Sequence, residues 1–103
     1  MSQPLDVACR LEPEGFVCEV TLGSDAAATR HTVSVSRSDL ERLAPGHDDP
    51  DRLVAASYRY LLEREPRESI LRSFELPVIE RYFPGYEREI RDRLEAGSPT
   101  ADR

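Results

Sequence analysis

The chain has 103 residues, a net charge of −6 and a hydrophobic fraction of 39%, which fits a small domain with a well-solvated surface. All 14 basic residues are arginine, so chemistry that needs a lysine, such as a Schiff base or a P-loop phosphate contact, is excluded. Because no part of the chain is basic overall, nucleic-acid binding and attachment to an anionic membrane are disfavoured.

Three segments of the amino-terminal third alternate between apolar and polar residues, the pattern of a half-buried strand. They are residues 5–11, 16–22 and 30–36. Turn-forming Pro13 and Gly15 separate the first two segments. The short connections predict an antiparallel meander of about three strands, with one apolar face that the rest of the chain must cover.

The two cysteines, Cys9 and Cys18, lie at inward positions of the first two predicted strands. The first residues lack the basic start and apolar stretch of a secretory signal, and no run of about 18 apolar residues occurs. We therefore expect a cytoplasmic protein with no membrane attachment. Reduced, buried thiols are the expectation there, although pairing of the two strands would permit a disulfide.

From Ser38 onward the apolar residues recur at helical spacing. Ser38 and Glu41 fit a capping box, which predicts a short first helix. Asp49 as N-cap and Pro50 as first residue predict a second helix that runs to about residue 64. The rest of the pattern is cut at three prolines, Pro66, Pro77 and Pro84.

The segments between these prolines predict further short helices. In the first of them, the spacing of Ile70, Leu71 and Phe74 predicts a helix that faces the core; in the last, Tyr86 and Ile90 begin a stripe that recurs every four residues. We thus predict an α+β fold, with about four short carboxy-terminal helices covering the meander. It forms a single compact domain over residues 1–96, and residues 97–103 form a disordered tail.

The polar clusters fit structural roles better than catalytic ones. His47, Asp48 and Asp49 are consecutive in a loop, where three side chains rarely converge on one metal ion. His31 lies among valines on a strand face, which indicates a core or edge histidine with satisfied hydrogen bonds. No nucleophile elbow and no glycine-rich phosphate loop occur. We predict that the protein is not an enzyme and uses no cofactor or metal.

The Pro-Gly corner at residues 84–85 has aromatic residues on both sides, and arginines flank the apolar positions before it. Aromatic and arginine side chains are the usual anchors of protein interfaces. The predicted partner-binding residues are Tyr82, Phe83, Tyr86, Arg67, Arg72 and Arg81. In the alternative interpretation, the corner packs inward between two helices and the arginines belong to a solvated face.

Residues 53–90 read LVAASYRYLLEREPRESILRSFELPVIERYFPGYEREI. This stretch resembles a family of small uncharacterised bacterial proteins, and the similarity covers most of the chain beyond Phe16. The family has no assigned activity. The resemblance therefore implies one compact domain and carries over no functional residue.

Three functions are open to such a domain. The first is a non-enzymatic protein–protein interaction module that acts through its helical half, on an unknown protein partner or on itself as a homodimer. The second is a nucleic-acid-binding or antitoxin-like regulator, because two helices joined near Pro66 faintly resemble a helix-turn-helix. The acidic charge counts against this second function, and one exposed basic stripe formed by Arg59, Arg64, Arg67 and Arg72 would support it. The third is a small enzyme or ligand carrier with His31 or His47 in a cleft between sheet and helices.

Overall fold

The amino-terminal third folds into three consecutive antiparallel strands, as its alternating pattern predicts. In the computed structural model, which describes residues 4–23, 26–47 and 49–96, these strands are β1 (Leu5–Glu12), β2 (Gly15–Leu22) and β3 (Thr29–Ser36). The inward residues of β2 and β3, among them Val20 and Val33, are fully buried. The meander therefore presents one apolar face to the core.

Gly15 lies where the first hairpin approaches the third strand. Its φ is 152°, and a Cβ at this position would lie 2.3 Å from the carbonyl oxygen of Val35. Any side chain here would push β3 away from β2, because the two backbones are too close to admit it. Glycine is thus required by the sheet as well as by the turn.

The sheet has a fourth strand that the sequence pattern does not predict. β4 (Ser73–Glu75) runs parallel to β3, and the strand order is β1-β2-β3-β4. The predicted helix through residues 70–74 is therefore wrong. A single 3₁₀ turn at Arg67–Ser69 follows Pro66, and the chain then extends.

Backbone hydrogen bonds to the edge of β3 explain this difference. The Thr32 N–H donates to the carbonyl of Arg72 at 2.8 Å, and the Leu76 N–H donates to the carbonyl of Ser34 at 2.9 Å. The open edge of β3 pairs with the segment that follows Pro66, and this long-range pairing overrides the local helical spacing.

The described residues contain four α-helices: α1 (Arg37–Leu43), α2 (Pro50–Leu62), α3 (Val78–Tyr82) and α4 (Tyr86–Ala96). The first two contact the sheet, and α4 packs against both of them. The first cap lies two residues earlier than predicted, because Ser36 rather than Ser38 accepts from the Asp39 N–H, at 3.0 Å. Asp49 caps α2 as predicted and accepts from the Asp51 N–H at 3.1 Å. The α+β class is confirmed, with a mixed sheet in place of a simple meander.

α2 is the central helix of the fold. Its residues Leu53, Val54 and Tyr58 are fully buried, and it contacts β1 and β2 on one side and α4 on another. One continuous core joins the sheet and the helices.

No helix in the described ranges is long and apolar enough to cross a membrane. The predicted disordered tail, residues 97–103, lies outside the described residues.

The structure corrects the expected state of the cysteines. Cys9 and Cys18 are direct partners in the pairing of β1 with β2, their Cα atoms lie 3.9 Å apart, and a disulfide joins them. The strand pairing that would permit the bond therefore brings the two sulfurs together. The expectation of two free thiols is wrong.

Candidate protein-binding groove

An apolar groove opens on the helical side of the molecule, where the chain leaves α2, passes through β4 and enters α3. Its volume is about 200 Å³. The lining includes Leu61 from the end of α2, Phe74 from β4, and Val78 and Ile79 from α3. We call this feature the apolar groove.

Prolines at both ends of the connecting segment shape the groove. Pro66 follows the end of α2, and Pro77 immediately precedes α3, so no single helix can run through this region. Between them Phe74 occupies the centre of β4 and packs against the ring of Tyr58, with 6.2 Å between the ring centroids. The side chain of Phe74 therefore reaches the helical side of the sheet, where it forms a wall of the groove.

A buried histidine fixes the segment that leads into β4. His31 Nδ1 lies 2.8 Å from the carbonyl oxygen of Leu71, and Nε2 lies 2.9 Å from Oγ1 of Thr29. Because a carbonyl oxygen only accepts, Nδ1 donates to Leu71 and Nε2 accepts from Thr29. Desolvation lowers the pKa of His31, outweighing the opposing effect of its bond to Leu71. His31 thus has satisfied hydrogen bonds, as predicted.

Two of the three large apolar side chains that are exposed in the described residues belong to the groove. Leu71 is 51% exposed and Tyr82 is 66% exposed, and both line it. The third, Leu11, lies far from it in sequence, near the end of β1. Single exposed apolar residues are ordinary, but two beside one apolar depression form a patch that is typical of a binding site.

The three aromatic residues predicted to bind a partner differ in exposure. Tyr82 is exposed at the groove, as a partner-binding residue must be, and Phe83 is half-buried in its lining. Phe83 also packs edge-on against Tyr60, at 6.0 Å between centroids. Tyr86 is fully buried, and its hydroxyl bonds to Ser57 inside the core. Tyr86 is therefore a core residue, and its place in the predicted partner-binding set is wrong.

The three predicted partner-binding arginines also differ in exposure. Arg72 and Arg81 are exposed and adjoin Leu71 and Tyr82 in the chain. By contrast, the Arg67 side chain is only 18% exposed and its guanidinium lies beside Gly23, where an added Cβ would come within 2.3 Å of Nη1. This close packing gives Arg67 a structural role at the end of β2, which leaves Arg72 and Arg81 as the charged candidates.

The four arginines that would support the nucleic-acid hypothesis do not form one exposed stripe, because the Arg67 side chain is only 18% exposed. Arg64 lies over the ring of Tyr60, 3.7 Å from its centroid, and donates to the Tyr60 carbonyl at 3.1 Å. Arg67 is packed at the end of β2, as described above. The second helix of the supposed helix-turn-helix is replaced by the 3₁₀ turn and β4. The geometry that motivated this hypothesis is therefore absent from the described residues.

His47 lies in a different part of the surface from His31. It is half-buried beside a shallow depression of about 500 Å³ whose lining includes Glu87, Arg88 and Asp92. Its neighbour Asp48 lies outside the described residues. Within the part of the chain that the structure describes, no three His, Cys, Asp or Glu side chains converge in a way that could hold a metal ion.

Comparison of the chain with protein-family models, with curated proteins and with solved structures gives no match. The resemblance of residues 53–90 to small bacterial proteins therefore stays a prediction.

Proposed function

We propose that the protein is a non-enzymatic interaction module that binds a segment of another protein in the apolar groove. The observation that carries this proposal is the exposure of Leu71 and Tyr82 beside an apolar depression. Removing apolar surface from water stabilises a complex by roughly 25 cal/mol for each Å². A partner that covers these two side chains would gain from both of them and from the groove.

The size of the groove favours a side chain over a small-molecule ligand. Sites for drug-sized ligands enclose about 300–1,000 Å³, whereas a cavity of about 150 Å³ holds one benzene ring. At about 200 Å³ the groove matches one large apolar side chain. Such a side chain, inserted from a partner, would act as the central anchor of an interface.

Two arginines that neighbour the groove residues Leu71 and Tyr82 in the chain indicate what should flank that anchor. Arg72 and Arg81 are exposed, and neither forms an ion pair with a described residue. Arginine binds carboxylates through two parallel N–H···O bonds, which fix orientation as well as add affinity. We therefore expect a partner segment with one large apolar residue flanked by aspartate or glutamate.

The cytoplasmic location that the amino-terminal sequence favours stays a prediction. The Cys9–Cys18 disulfide argues against a compartment that keeps thiols reduced. The proposed interaction does not depend on this point, since the disulfide lies between β1 and β2 and the groove is formed by other elements.

A selection of random displayed peptides on the wild-type protein tests the proposal. Peptides that bind should share one large apolar residue with acidic neighbours. Fluorescence polarisation of a selected peptide should show at least about tenfold weaker binding to the Leu71→Ser variant, because the apolar contact is lost. The Leu11→Ser variant is the matched control, since Leu11 is similarly exposed but lies on β1.

Equal binding of the selected peptides to both serine variants would place the interaction elsewhere. Peptides without a common apolar residue would contradict the anchor model. If no peptide is selected and the Leu71→Ser substitution abolishes self-association, the partner that occupies the groove is a second copy of this chain.

A further inference from the structure

β1 is the long open edge of the sheet. It has eight residues and pairs with β2 alone among the described strands, whereas the opposite edge is the three-residue β4. The free edge of a strand of this length offers a row of backbone donors and acceptors to another strand. The chemistry of β1 therefore decides which strand it can accept.

The pairing of β1 with β2 determines which of its backbone groups are free. The Gly23 N–H donates to the Pro4 carbonyl at 2.9 Å, which makes this pair a hydrogen-bonded one. In an antiparallel ladder such pairs alternate with non-hydrogen-bonded pairs. The even-numbered residues of β1 therefore bond to β2, and residues 5, 7, 9 and 11 direct their N–H and C=O groups to the open edge. The short Cα distance of 3.9 Å between Cys9 and Cys18 agrees, since non-hydrogen-bonded pairs lie closer.

Two opposite charges lie on the same face of β1. Asp6 and Arg10 are both exposed, with Ala8 midway between them. Asp6 forms no ion pair with a described residue. Arg10 contacts Glu12 at 2.9 Å and Glu19 at 3.7 Å, yet its side chain remains more than half exposed. The charges of β1 therefore match those of a second β1 strand that runs antiparallel to it.

We propose that a second copy of this chain pairs with β1 in the antiparallel register centred on Ala8, which joins two four-stranded sheets into one of eight strands. This register places Asp6 opposite Arg10 of the second copy, twice by symmetry. Opposite charges directly across a strand pair are stabilising. Ala8 then faces its own symmetry mate at a closely spaced pair, where a small side chain fits.

The neighbouring registers lack this complementarity. A register centred on Cys9 would place Asp6 opposite Glu12, and registers centred on Asp6 or Arg10 would place each of these charges opposite itself. Like charges directly across are destabilising. A register centred on Val7 would pair Asp6 with Ala8 and so leave both charges unmatched.

The same register gives the exposed Leu11 a neighbour. Leu11 is 64% exposed on one chain, and the register places it opposite Leu5 of the second copy. Leu5 is partly buried and packs against the core. This surface is separate from the apolar groove, so the proposal is independent of the proposed function.

Sedimentation equilibrium at several concentrations tests the proposal through charge reversal. The wild type should approach twice the chain mass of 11.7 kDa as concentration rises. Asp6→Arg and Arg10→Asp should each weaken the dimer by about tenfold or more, because two attractive pairs become repulsive. An equimolar mixture of these two variants should form a heterodimer, and the double variant should recover the homodimer.

Circular dichroism melts of each variant verify that the fold is intact, and the mixture provides an internal control because both chains are mutated. A wild type that stays at 11.7 kDa at millimolar concentration would overturn the proposal. So would a dimer that both single variants retain, or a mixture that associates no more strongly than its components. A dimer that Leu71→Ser abolishes while the charge variants keep it would assign self-association to the groove.

Discussion

The hydroxyl of Tyr86 lies 2.5 Å from Oγ of Ser57, and this hydrogen bond joins α4 to α2 inside the core. Ser57 donates in turn to the carbonyl of Leu53 at 2.8 Å, so the tyrosine hydroxyl is the donor to Ser57. The next residue, Tyr58, is equally buried, but its hydroxyl has no hydrogen-bond partner among the described residues. Burial raises the pKa of both tyrosines, yet only one of them has its polar atom satisfied.

Removing the two hydroxyls should therefore change stability in opposite directions. Tyr86→Phe should lower the free energy of unfolding by about 1 kcal/mol, because Ser57 loses its buried partner. Tyr58→Phe should raise it by about 1 kcal/mol, because an unpaired buried hydroxyl is removed. Urea unfolding of the two variants beside the wild type measures both changes, and effects of the same sign would contradict the assignment.

Protonation of His31 should make the protein less stable in mild acid. Its pKa is lowered from 6.5 in the folded state, chiefly by desolvation, so the unfolded chain binds the proton more readily. The contribution of neutral His31 to the free energy of unfolding should be complete above about pH 6.5, and it should be lost as the pH drops toward the lowered pKa. Urea unfolding between pH 7 and pH 5 measures this slope.

A pair of histidine variants separates His31 from the general effect of acid. His31→Gln should flatten the slope, although it should also lower stability at pH 7 by breaking the bond to Leu71. His47→Gln should keep the wild-type slope. If the dependence of stability on pH disappears in His47→Gln and survives in His31→Gln, the assignment to His31 is wrong.

Arg42 connects its own helix, α1, to α3 and α4 through two ion pairs. Its guanidinium lies 2.7 Å from Glu80 on α3 and 2.7 Å from Glu87 on α4. Because the side chain is 37% exposed, screening limits the effect, and Arg42→Met should lower the free energy of unfolding by only about 1 kcal/mol. The loss should shrink in high salt. Thermal melts at low and high salt measure it, and Arg37→Met, at an exposed position of the same helix, should show neither effect.

Gly15→Ala should be much more harmful than Gly85→Ala. A Cβ at Gly15 would collide with the backbone of β3, whereas a Cβ at Gly85 would meet no atom within 4 Å. We expect a loss of about 2–3 kcal/mol at residue 15, from strain and strand separation, and a change near zero at residue 85. Denaturant unfolding compares the two variants directly, and equal losses would show that the close approach to Val35 is not what requires glycine.

The strands and the start of α2 were predictable because their causes are local. Alternation identified the three antiparallel strands, and Asp49 carries its own capping signal. β4 was not predictable in this way, since Phe74 extends only because the edge of β3 is available from far away in the sequence. The apolar groove depends on that pairing, which is why its lining could not be assembled from periodicity.

The burial of Tyr86 is indicated by the spacing of apolar residues in the sequence. With Ile90 and Leu94 it forms the buried stripe of α4, and the spacing of four residues is visible in the sequence. The Pro-Gly corner before it permits either a protruding aromatic cluster or a corner that packs inward between two helices. The corner turns the chain so that Tyr82 stays outside while Tyr86 enters the core.

Phe74 is both the centre of β4 and a wall of the apolar groove, so the groove exists only while the sheet keeps its fourth strand. Three residues of parallel pairing are a small cooperative unit, and local opening of such a unit is far easier than global unfolding. Fraying at this edge would remove the wall and with it the groove in which we propose that a partner binds. Under the proposed function, the local stability of β4 would set the fraction of molecules ready to accept an anchor residue, and an occupied groove would hold the edge of the sheet closed.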